Sequence, residues 1–473
     1  MSQTITIDPV TRLEGHGKVT IHLDEQGQVS DAHFHVTQVR GFERFAEGRP
    51  FYEMPSLMAR ICGICPVSHL IASAKACEAI MSIRIPHTAA QLRRMLNLAQ
   101  MVQSHALSFF HLSSPDLLLG LDSAPAQRHI FGVVAARPEL GRAGIALRRF
   151  GQHIIELLGN KRIHPGWVVP GGVTEPLTSA KRDEILAIIP EAYANIKVAL
   201  NWYKQIADSF RSEIEVFANF PSLFMGLINE DESIEFTDGT LRIIDAKGAI
   251  IEDGMTAAQF TQLIGEAVEP YSYTKFAYYK PLGYPEGSYR VGPLARLNIA
   301  RSMGTPLADI ELKLFKQIAL GPVSSSFHYH HARLIDILYG IEKIEQILTD
   351  PLILDKHIRA TAGVNRLEGA GQAEAPRGTL MHNYKVDENG LIAWANLVIA
   401  TGQNNNAMNR GVLQAARHYI KDGKFTEGIL NRVEAVVRTF DPCLSCSSHA
   451  FGQMPLSIAL VSPAGEVLET ITR

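Results

Sequence analysis

Two short cysteine motifs near opposite ends of the chain constrain its fold more than any other feature. Cys62 and Cys65 form one Cys-x-x-Cys pair, Cys443 and Cys446 form the other, and 378 positions separate Cys65 from Cys443. A two-residue spacer lets both sulfurs of a pair face one ion, and thiolates suit nickel, zinc, copper(I) and iron–sulfur clusters. If both pairs bind one metal centre, the fold must bring the two ends of the chain together.

A structural zinc site is the first alternative for these cysteines. Such sites normally use two pairs about 15–20 residues apart, because they hold small local folds together. This chain has 473 residues, of which 46% are hydrophobic, so it can bury a large core without a zinc staple. A redox dithiol would explain one pair but not two. The remaining cysteine, Cys77, lies in an apolar segment and is predicted to pack in the core.

The hydrophobic pattern predicts an α+β fold that is mainly helical, with a central bundle of long helices. Residues 1–40 alternate apolar and polar side chains, which predicts an N-terminal β-hairpin or sheet. Short alternating segments joined by Asp-Gly and Lys-Gly turns predict a small β-rich insertion at 230–300. Residues 450–473 are expected to form a strand or hairpin. Helical spacing is found at 69–83, 86–109, 180–215, 305–350 and 408–438.

The charge and hydropathy of the chain exclude several classes of partner. The net charge of about −3 gives no electrostatic reason to expect a nucleic acid or an anionic lipid. No apolar run reaches the roughly 18 residues of a membrane span, and no secretory signal is visible at the amino terminus. We therefore expect a cytoplasmic protein. No Gly-x-Gly-x-x-Gly motif follows a clear strand, so NAD is not expected to bind this chain.

Five ordered motifs resemble those of the large, catalytic subunits of nickel–iron hydrogenases. The resemblance extends from residue 5 to residue 460, and the segment 289–298 is similar to the soluble, bidirectional, NAD(P)-linked branch found in cyanobacteria and similar bacteria. It implies the large-subunit fold of this family and reversible oxidation of H2. The motifs lie at residues 8–16, 40–43, 60–69, 375–378 and 441–449.

The resemblance implies a role for each cysteine of the two pairs. All four would bind nickel. Cys65 and Cys446 would also bridge to an iron that carries carbon monoxide and cyanide, whereas Cys62 and Cys443 would bind nickel only. On the residues alone, zinc remains an alternative metal for this set.

The resemblance also supplies candidate catalytic residues. Glu14 matches the glutamate that transfers protons, and a carboxyl group suits that work; from the pattern alone it could be a surface residue or pair with Arg12. Arg377, which follows Pro376 in its motif, would lie over the open metal position, and Asp441 would hold it. An ordinary ion pair and a turn cap are the alternatives for these two side chains.

Further residues match ligands of a second ion and groups around the first centre. Glu43, His449 and a backbone carbonyl near Leu397 would bind Mg²⁺, or Fe²⁺ in its place. His69 would hydrogen-bond a bridging sulfur, and Thr401 would donate to a cyanide nitrogen. A turn histidine at His449, a core histidine at His69 and a loop threonine at Thr401 are the plain alternatives.

The chain needs partners, because only Cys77 is left over and one cysteine cannot hold an iron–sulfur cluster. The resemblance implies an iron–sulfur small subunit, together with a flavin-containing iron–sulfur NAD(P) reductase module. It also implies a precursor. Nickel-insertion proteins would load residues 1–449, the mature subunit, and a maturation endopeptidase would then cut between His449 and Ala450. The extension 450–473 would be removed; an ordinary terminal strand is the alternative.

Two other classes of protein compete with the hydrogenase. A quinone-module subunit of a respiratory complex shares this fold but lacks the four cysteines. A zinc-stapled structural protein would keep the cysteines but would contain zinc alone.

Overall fold

The amino terminus forms a three-stranded antiparallel sheet. The computed structural model describes residues 3–448, 457–462 and 467–472. Its first strands are β1 (Gln3–Ile7), β2 (Gly17–Leu23) and β3 (Val29–Val36), in the order β1-β2-β3. In β2 buried and half-buried positions alternate, as the period of two in the sequence predicts. The sheet packs against a late helix, α14 (Ala400–Tyr419).

Long helices form the central bundle. Four of them pack side by side: α4 (His87–Ala106), α7 (Pro138–Gly159), α8 (Ser179–Ile206) and α13 (Tyr329–Thr349). The α4 helix continues into a π-helical segment, Leu107–Ser113, which extends beyond residue 109, where the helix predicted from the sequence ends. The elements of the first half are α1 (Phe42–Ala46), α2 (Met54–Met58), α3 (Pro66–Met81), α4 (His87–Ala106), α5 (Ser114–Leu119), α6 (Ile130–Ala136), α7 (Pro138–Gly159), β4 (Val168–Val169), β5 (Gly172–Val173), α8 (Ser179–Ile206) and α9 (Arg211–Val216).

A β-rich region interrupts the helices, and it begins earlier than the residue 230 predicted from the sequence. Its first strand starts at residue 223 and is buried at every position, so it lacks the alternation by which a strand is recognised. The strands form a four-stranded sheet, β11-β6-β7-β8, and a two-stranded sheet, β10-β9. The elements are β6 (Leu223–Ile228), β7 (Thr240–Ile244), β8 (Ile250–Met255), α10 (Ala257–Leu263), β9 (Ile264–Val268), β10 (Lys275–Tyr279) and β11 (Tyr289–Arg290).

The last part of the chain returns to helices around a second antiparallel sheet, β12-β13-β14. Strand β12 reads Glu-Gly-Ala-Gly-Gln-Ala-Glu-Ala; it lacks the β-branched and aromatic residues that mark strands, and the sequence did not predict it. The elements are α11 (Pro293–Ile299), α12 (Pro306–Lys316), α13 (Tyr329–Thr349), β12 (Glu368–Ala375), β13 (Gly378–Val386), β14 (Ile392–Val398), α14 (Ala400–Tyr419), α15 (Glu427–Phe440), α16 (Leu444–Ser447), β15 (Ser457–Val461) and β16 (Val467–Thr472).

The observed architecture confirms the predicted mainly helical α+β class. The one helical stretch predicted at 408–438 is two helices, because Thr426 caps the start of α15 by accepting from the Ile429 amide. Among the described residues, no helix is both long and apolar enough to cross a bilayer.

Strand β12 and helix α3 lie in direct backbone contact, and two glycines make this possible. A Cβ added at Gly371 would lie 2.1 Å from the Ala72 carbonyl oxygen, and one at Gly369 would lie 2.3 Å from that of Ala76. The contact matters for the site, because α3 begins at the first cysteine pair and the turn that follows β12 carries Arg377. The glycines therefore set the distance between these two parts of the chain.

We expect Gly371→Ala to lower the free energy of unfolding by about 1–3 kcal/mol, since the added methyl group must push α3 away from the sheet. Gly363→Ala is a matched control, because a Cβ at Gly363 meets no atom within 4 Å. Urea unfolding of both variants measures the difference. Equal stability of the two variants would contradict the tight contact.

Candidate metal centre

The first cysteine pair lies at the amino-terminal end of α3. Cys65 is the N-cap residue and Pro66 is the first helical residue, a position that proline favours because its missing N–H is not needed there. The amides of Ile64 and Cys65 donate to Cys62 Sγ at 3.2 and 3.4 Å. The two thiols are buried, whereas Gly63 between them is exposed, so the pair lies just beneath the molecular surface.

The second pair follows the last long helix. Asp441 adopts a left-handed conformation (φ 53°) and ends α15, and Pro442 prevents the helix from continuing. Cys443 is the N-cap residue of the short helix α16, which contains Cys446. Both sulfurs point into the interior, where each residue is 1% exposed.

The amino-terminal segment fixes this second pair in place. Glu14 forms a parallel β-bridge with Cys443, and its carbonyl accepts from the Leu444 amide at 3.1 Å. On the other side, the Cys443 amide donates to Thr401 Oγ1 at 2.9 Å. Two distant parts of the chain, at Glu14 and Thr401, therefore determine the orientation of this motif.

The four sulfurs form one cluster, in which all ligand atoms lie within 4.8 Å of one another. Cys62 Sγ faces Cys443 Sγ at 3.4 Å, and Cys65 Sγ faces Cys446 Sγ at 3.4 Å. All four are free thiols rather than disulfides. The fold thus brings together the two ends of the chain, and the donor set of four buried thiols fits a soft metal ion.

The cluster is electrostatically asymmetric. Burial raises the pKa of Cys443 and Cys446 well above the usual value, whereas the hydrogen bond from Cys443 lowers the pKa of Cys62. Buried thiolates need positive charge beside them, and a metal cation or Arg377 can provide it.

Arg377 lies over this cluster at the turn between β12 and β13. Its Nε donates to the Asp441 carbonyl oxygen at 2.6 Å, and its Nη2 donates to Asp441 Oδ1 at 3.1 Å. Burial opposes its charge, but Asp441 and the cysteines outweigh burial and raise the pKa of Arg377. Asp441 therefore holds the Arg377 guanidinium through two hydrogen bonds. Burial also raises the pKa of Asp441 itself.

Glu14 faces the second cysteine pair, not Arg12. Its Oε2 accepts from the Ser445 amide at 3.0 Å, and its Oε1 hydrogen-bonds the Ser445 hydroxyl. Arg12 instead forms a 2.5 Å ion pair with Asp116 and donates to the Leu112 carbonyl oxygen. Glu14 is half-buried, and its carboxyl lies beside Ser445, one of the two residues that separate Cys443 from Cys446.

Glu43 lies in a separate, half-buried polar cluster near the end of β14. Its Oε1 accepts from Lys275 Nζ at 2.8 Å and from the Leu397 amide at 2.8 Å. Lys275 also contacts Glu266 at 3.2 Å, and Asn396 donates to Glu266 at 2.8 Å. The structure thus brings Glu43 and Leu397 together. His449, the third predicted ligand of the second ion, and Ala450 lie outside the described residues.

The remaining predicted residues lie on α3 and in the turn before Arg377. His69 lies one turn beyond Cys65 on α3, where its Nδ1 is 3.1 Å from Nε2 of His382. Pro376 precedes Arg377 in the turn, and its carbonyl oxygen accepts from Arg296 at 3.4 Å. Cys77 is fully buried on α3, away from the cluster, as predicted.

Several residues of the site escaped the sequence analysis. Ser445 could have been found, because it lies inside the second motif. Lys275 and Glu266 lie on neighbouring strands with no motif to connect them, and His382 lies in a sheet that was not predicted. Only the tertiary fold places these side chains next to the predicted ones.

Comparison with known proteins agrees with this geometry. A family model described as "Nickel-dependent hydrogenase" matches residues 40–125 and 228–449, and one described as "HoxL-like" matches residues 4–39. The chain is 40% identical to the beta subunit of the NAD-reducing hydrogenase HoxS of Cupriavidus necator over the whole of both chains. It is 39% identical to one chain of the F420-non-reducing hydrogenase vhc of Methanococcus voltae, over 99% of each chain.

A solved structure gives the same answer for the fold. An NAD+-reducing NiFe hydrogenase in the H2-reduced state superposes with a TM-score of 0.91 and 43% identity, covering 94% of this chain and 99% of that chain. The matches extend through the segments that carry all four cysteines. The chain therefore belongs to the nickel-dependent hydrogenase family, as a large subunit of the nickel–iron type.

Proposed function

We propose that this chain is the catalytic subunit of a hydrogenase that oxidises H2 and reduces protons reversibly. The observation that carries the proposal is the buried cluster of Cys62, Cys65, Cys443 and Cys446, assembled from opposite ends of a nickel-dependent hydrogenase chain. When bound, a nickel–iron centre supplies the redox-active metals at which H2 is split or formed. Its iron would carry carbon monoxide and cyanide, which no protein residue provides.

The four sulfurs form two facing pairs with equal distances, and Cys65 faces Cys446 at 3.4 Å. The family resemblance is therefore the support for different roles, in which Cys65 and Cys446 would bridge to the iron. Cys62 and Cys443 form the other facing pair and would bind nickel only. We assign the bridging role to the first set and the terminal role to the second.

Arg377 would act as a fixed positive charge. Two hydrogen bonds to Asp441 hold its planar guanidinium in place. The guanidinium therefore need not move when the charge of the bound metal centre changes. Thr401, whose hydroxyl accepts from the Cys443 amide, keeps its own O–H to donate, and a cyanide nitrogen would be its acceptor.

Glu14 would move protons between the cysteine cluster and the exterior. Its carboxyl contacts Ser445, between the two cysteines of the second pair, and is only half-buried. A carboxyl group in this position can take a proton from the cluster side and release it toward solvent.

A second, non-redox ion would bind near Glu43. Glu43 and Glu266 bring two carboxylates close together, held by Lys275 and Asn396, and hard cations prefer such oxygen ligands. Together with the Leu397 carbonyl and His449, Glu43 would hold Mg²⁺, or Fe²⁺ in its place. Metal analysis of Glu43→Gln tests this assignment independently of nickel.

Electrons would leave through the exposed face around Gly63. Large apolar side chains are exposed nearby in the chain, with Phe45 at 54% and Tyr52 at 61%, which suits a protein interface. An iron–sulfur small subunit on this face would bring a cluster close to Cys62. The chain itself has no further paired cysteines for a cluster of its own.

The final electron acceptor would be NAD(P), through a flavin-containing iron–sulfur reductase module. The support is the chain's similarity to a hydrogenase named as NAD-reducing, over the full length of both. NAD(P) is a cytoplasmic cofactor, so we place the complex in the cytoplasm. These relatives are named as hydrogenases. They therefore favour neither a zinc-stapled structural protein nor a quinone-module homologue.

We also propose that a maturation endopeptidase cuts the chain between His449 and Ala450 once nickel-insertion proteins have loaded the site, so that residues 1–449 form the mature subunit. The support is the resemblance of residues 441–449 to the family motif after which the precursor is cut.

We expect Cys446→Ser to abolish H2 turnover and nickel binding, because a hydroxyl is a far poorer nickel ligand than a thiolate. Cys77→Ser is the control, since its hydroxyl can still donate to the Phe51 carbonyl oxygen, as the thiol does at 3.1 Å. Metal analysis, infrared bands of carbon monoxide and cyanide, and H2 oxidation measure the result. Near-normal turnover of Cys446→Ser with nickel bound, or zinc alone in the wild type, would contradict the proposal.

We expect Glu14→Gln to keep its metals but to slow hydrogen–deuterium exchange by about 100-fold or more, the usual contribution of a proton-transfer group. The Gln amide can accept from the Ser445 amide and donate to its hydroxyl, so both contacts survive. Metal content and exchange rate are measured on the same sample. A parallel loss of both would make Glu14 a structural residue instead.

We expect active enzyme to end at His449, as intact-mass measurement would show. A chain truncated genetically after His449 should carry little nickel despite retaining every ligand, if the extension keeps the second pair open for metal entry. Full activity of a chain that still ends at Arg473 would exclude processing. A normal nickel content in the truncated variant would show that the extension is not needed to keep the second cysteine pair open for metal entry.

A further inference from the structure

Four polar side chains meet between α3 and β13, at the cysteine end of α3. His69 and Ser73 are four residues apart on the helix, and His382 and Tyr384 are two residues apart on the strand. Four residues of helix rise about 6 Å and two residues of strand rise about 6.6 Å, so the two pairs match in spacing. Each strand side chain therefore faces one helix side chain.

The two glycines of β12 allow this close approach. Gly371 pairs with His382 across the sheet, and Gly369 pairs with Tyr384. Because neither glycine has a Cβ, α3 lies against β12 at a distance that lets His69 reach β13. The arrangement depends on the backbone and is not a chance contact of long, mobile side chains.

The contacts form a continuous hydrogen-bonded chain. His69 Nδ1 is 3.1 Å from His382 Nε2, and His382 Nδ1 is 2.6 Å from the Tyr384 hydroxyl. The hydroxyl is also 2.8 Å from Ser73 Oγ. His382, Tyr384 and Ser73 are fully buried and His69 is 1% exposed. We call His69, His382 and Tyr384 the His69 relay.

The hydroxyl of Tyr384 carries one proton and has two acceptors beside it. Burial raises the pKa of Tyr384 well above its usual value, so the proton stays on the phenol. If the hydroxyl proton is donated to Ser73, His382 must carry its own proton on Nδ1, and a neutral His69 then carries its proton on Nδ1 rather than Nε2. If it goes to His382 Nδ1, then His382 donates from Nε2 to His69, and His69 carries its proton on Nε2.

We propose that His382 and Tyr384 are positioning residues that hold His69 with its proton on Nε2. Side chains on a helix lean toward its amino terminus, which for His69 is the turn that begins at Cys65. An N–H directed there can donate to a metal-bound thiolate, whereas a bare nitrogen would repel it. The relay fixes both the orientation of the ring and the nitrogen that carries the proton.

The functional consequence rests on the proposed function, but the tautomer can be observed separately. Long-range 1H–15N spectra of 15N-histidine-labelled holoenzyme in a diamagnetic state report which ring nitrogens are protonated. His69→Gln and His382→Gln variants assign the two signals. We expect both histidines to be protonated on Nε2 in the wild type, and Tyr384→Phe to move the His69 proton, wholly or in part, to Nδ1.

The same variants are then assayed for turnover. We expect Tyr384→Phe to lower kcat about five- to tenfold, the value of one buried hydrogen bond, while KM for H2 and nickel content stay unchanged. Tyr203→Phe is the matched control, because its hydroxyl is equally buried and has no hydrogen-bond partner in the described part of the chain; its kcat should stay at the wild-type value. Ser73→Ala should leave both tautomers as in the wild type.

Three results would overturn the proposal. They are His69 protonated on Nδ1 in the wild type, unchanged 15N signals and kcat in Tyr384→Phe, and equal losses of kcat in Tyr384→Phe and Tyr203→Phe. Failure of the proposed function gives a different result: the wild type would lack nickel or H2 turnover. That result does not depend on which nitrogen of His69 carries the proton.

Discussion

The metal cluster depends on the contact between the amino-terminal segment and the carboxyl-terminal cysteine motif. Glu14 pairs with Cys443 through the backbone, and its neighbour Gly15 permits the approach. A Cβ at Gly15 would lie 2.6 Å from Leu444 Cβ, and its φ of +88° is one that other residues rarely adopt. Without this contact the second pair would have no fixed position relative to Cys62 and Cys65, and the cluster would lose its geometry.

A second constraint is the buried charge beneath the turn that carries Arg377. Arg296 bridges Asp336 and Glu374, each at 2.6 Å, and all three side chains are fully buried. Glu374 also accepts from Thr379 across the hairpin at 2.7 Å. Buried ion pairs add little net stability but strongly favour one geometry, because breaking one leaves a charge without a partner. The network therefore fixes the end of the hairpin, and with it the guanidinium above the thiols.

The sequence predicted the parts of this structure that leave a local pattern. Cysteine spacing identified the cluster, and hydrophobic periodicity identified the long helices and the amino-terminal sheet. Strand β12 was missed because its small residues are selected for contact with α3 rather than for strand propensity. The partner of Arg12 was also missed, because Asp116 is 104 positions away and nothing local couples the two. Ion pairs and relays of this kind depend on which surfaces the tertiary fold brings together.

The sequence order of the four thiols has a consequence for protein synthesis. A ribosome that has made nine-tenths of the chain has released only Cys62 and Cys65, and two thiols bind a metal ion far more weakly than four. Cys446 can join Cys65, 381 positions earlier, only when translation is nearly complete and the intervening helices have packed. A chain whose translation stops early can therefore never form the complete site. Because the second pair lies so late in the chain, only chains extended through Cys446 can bind the metal with all four thiols.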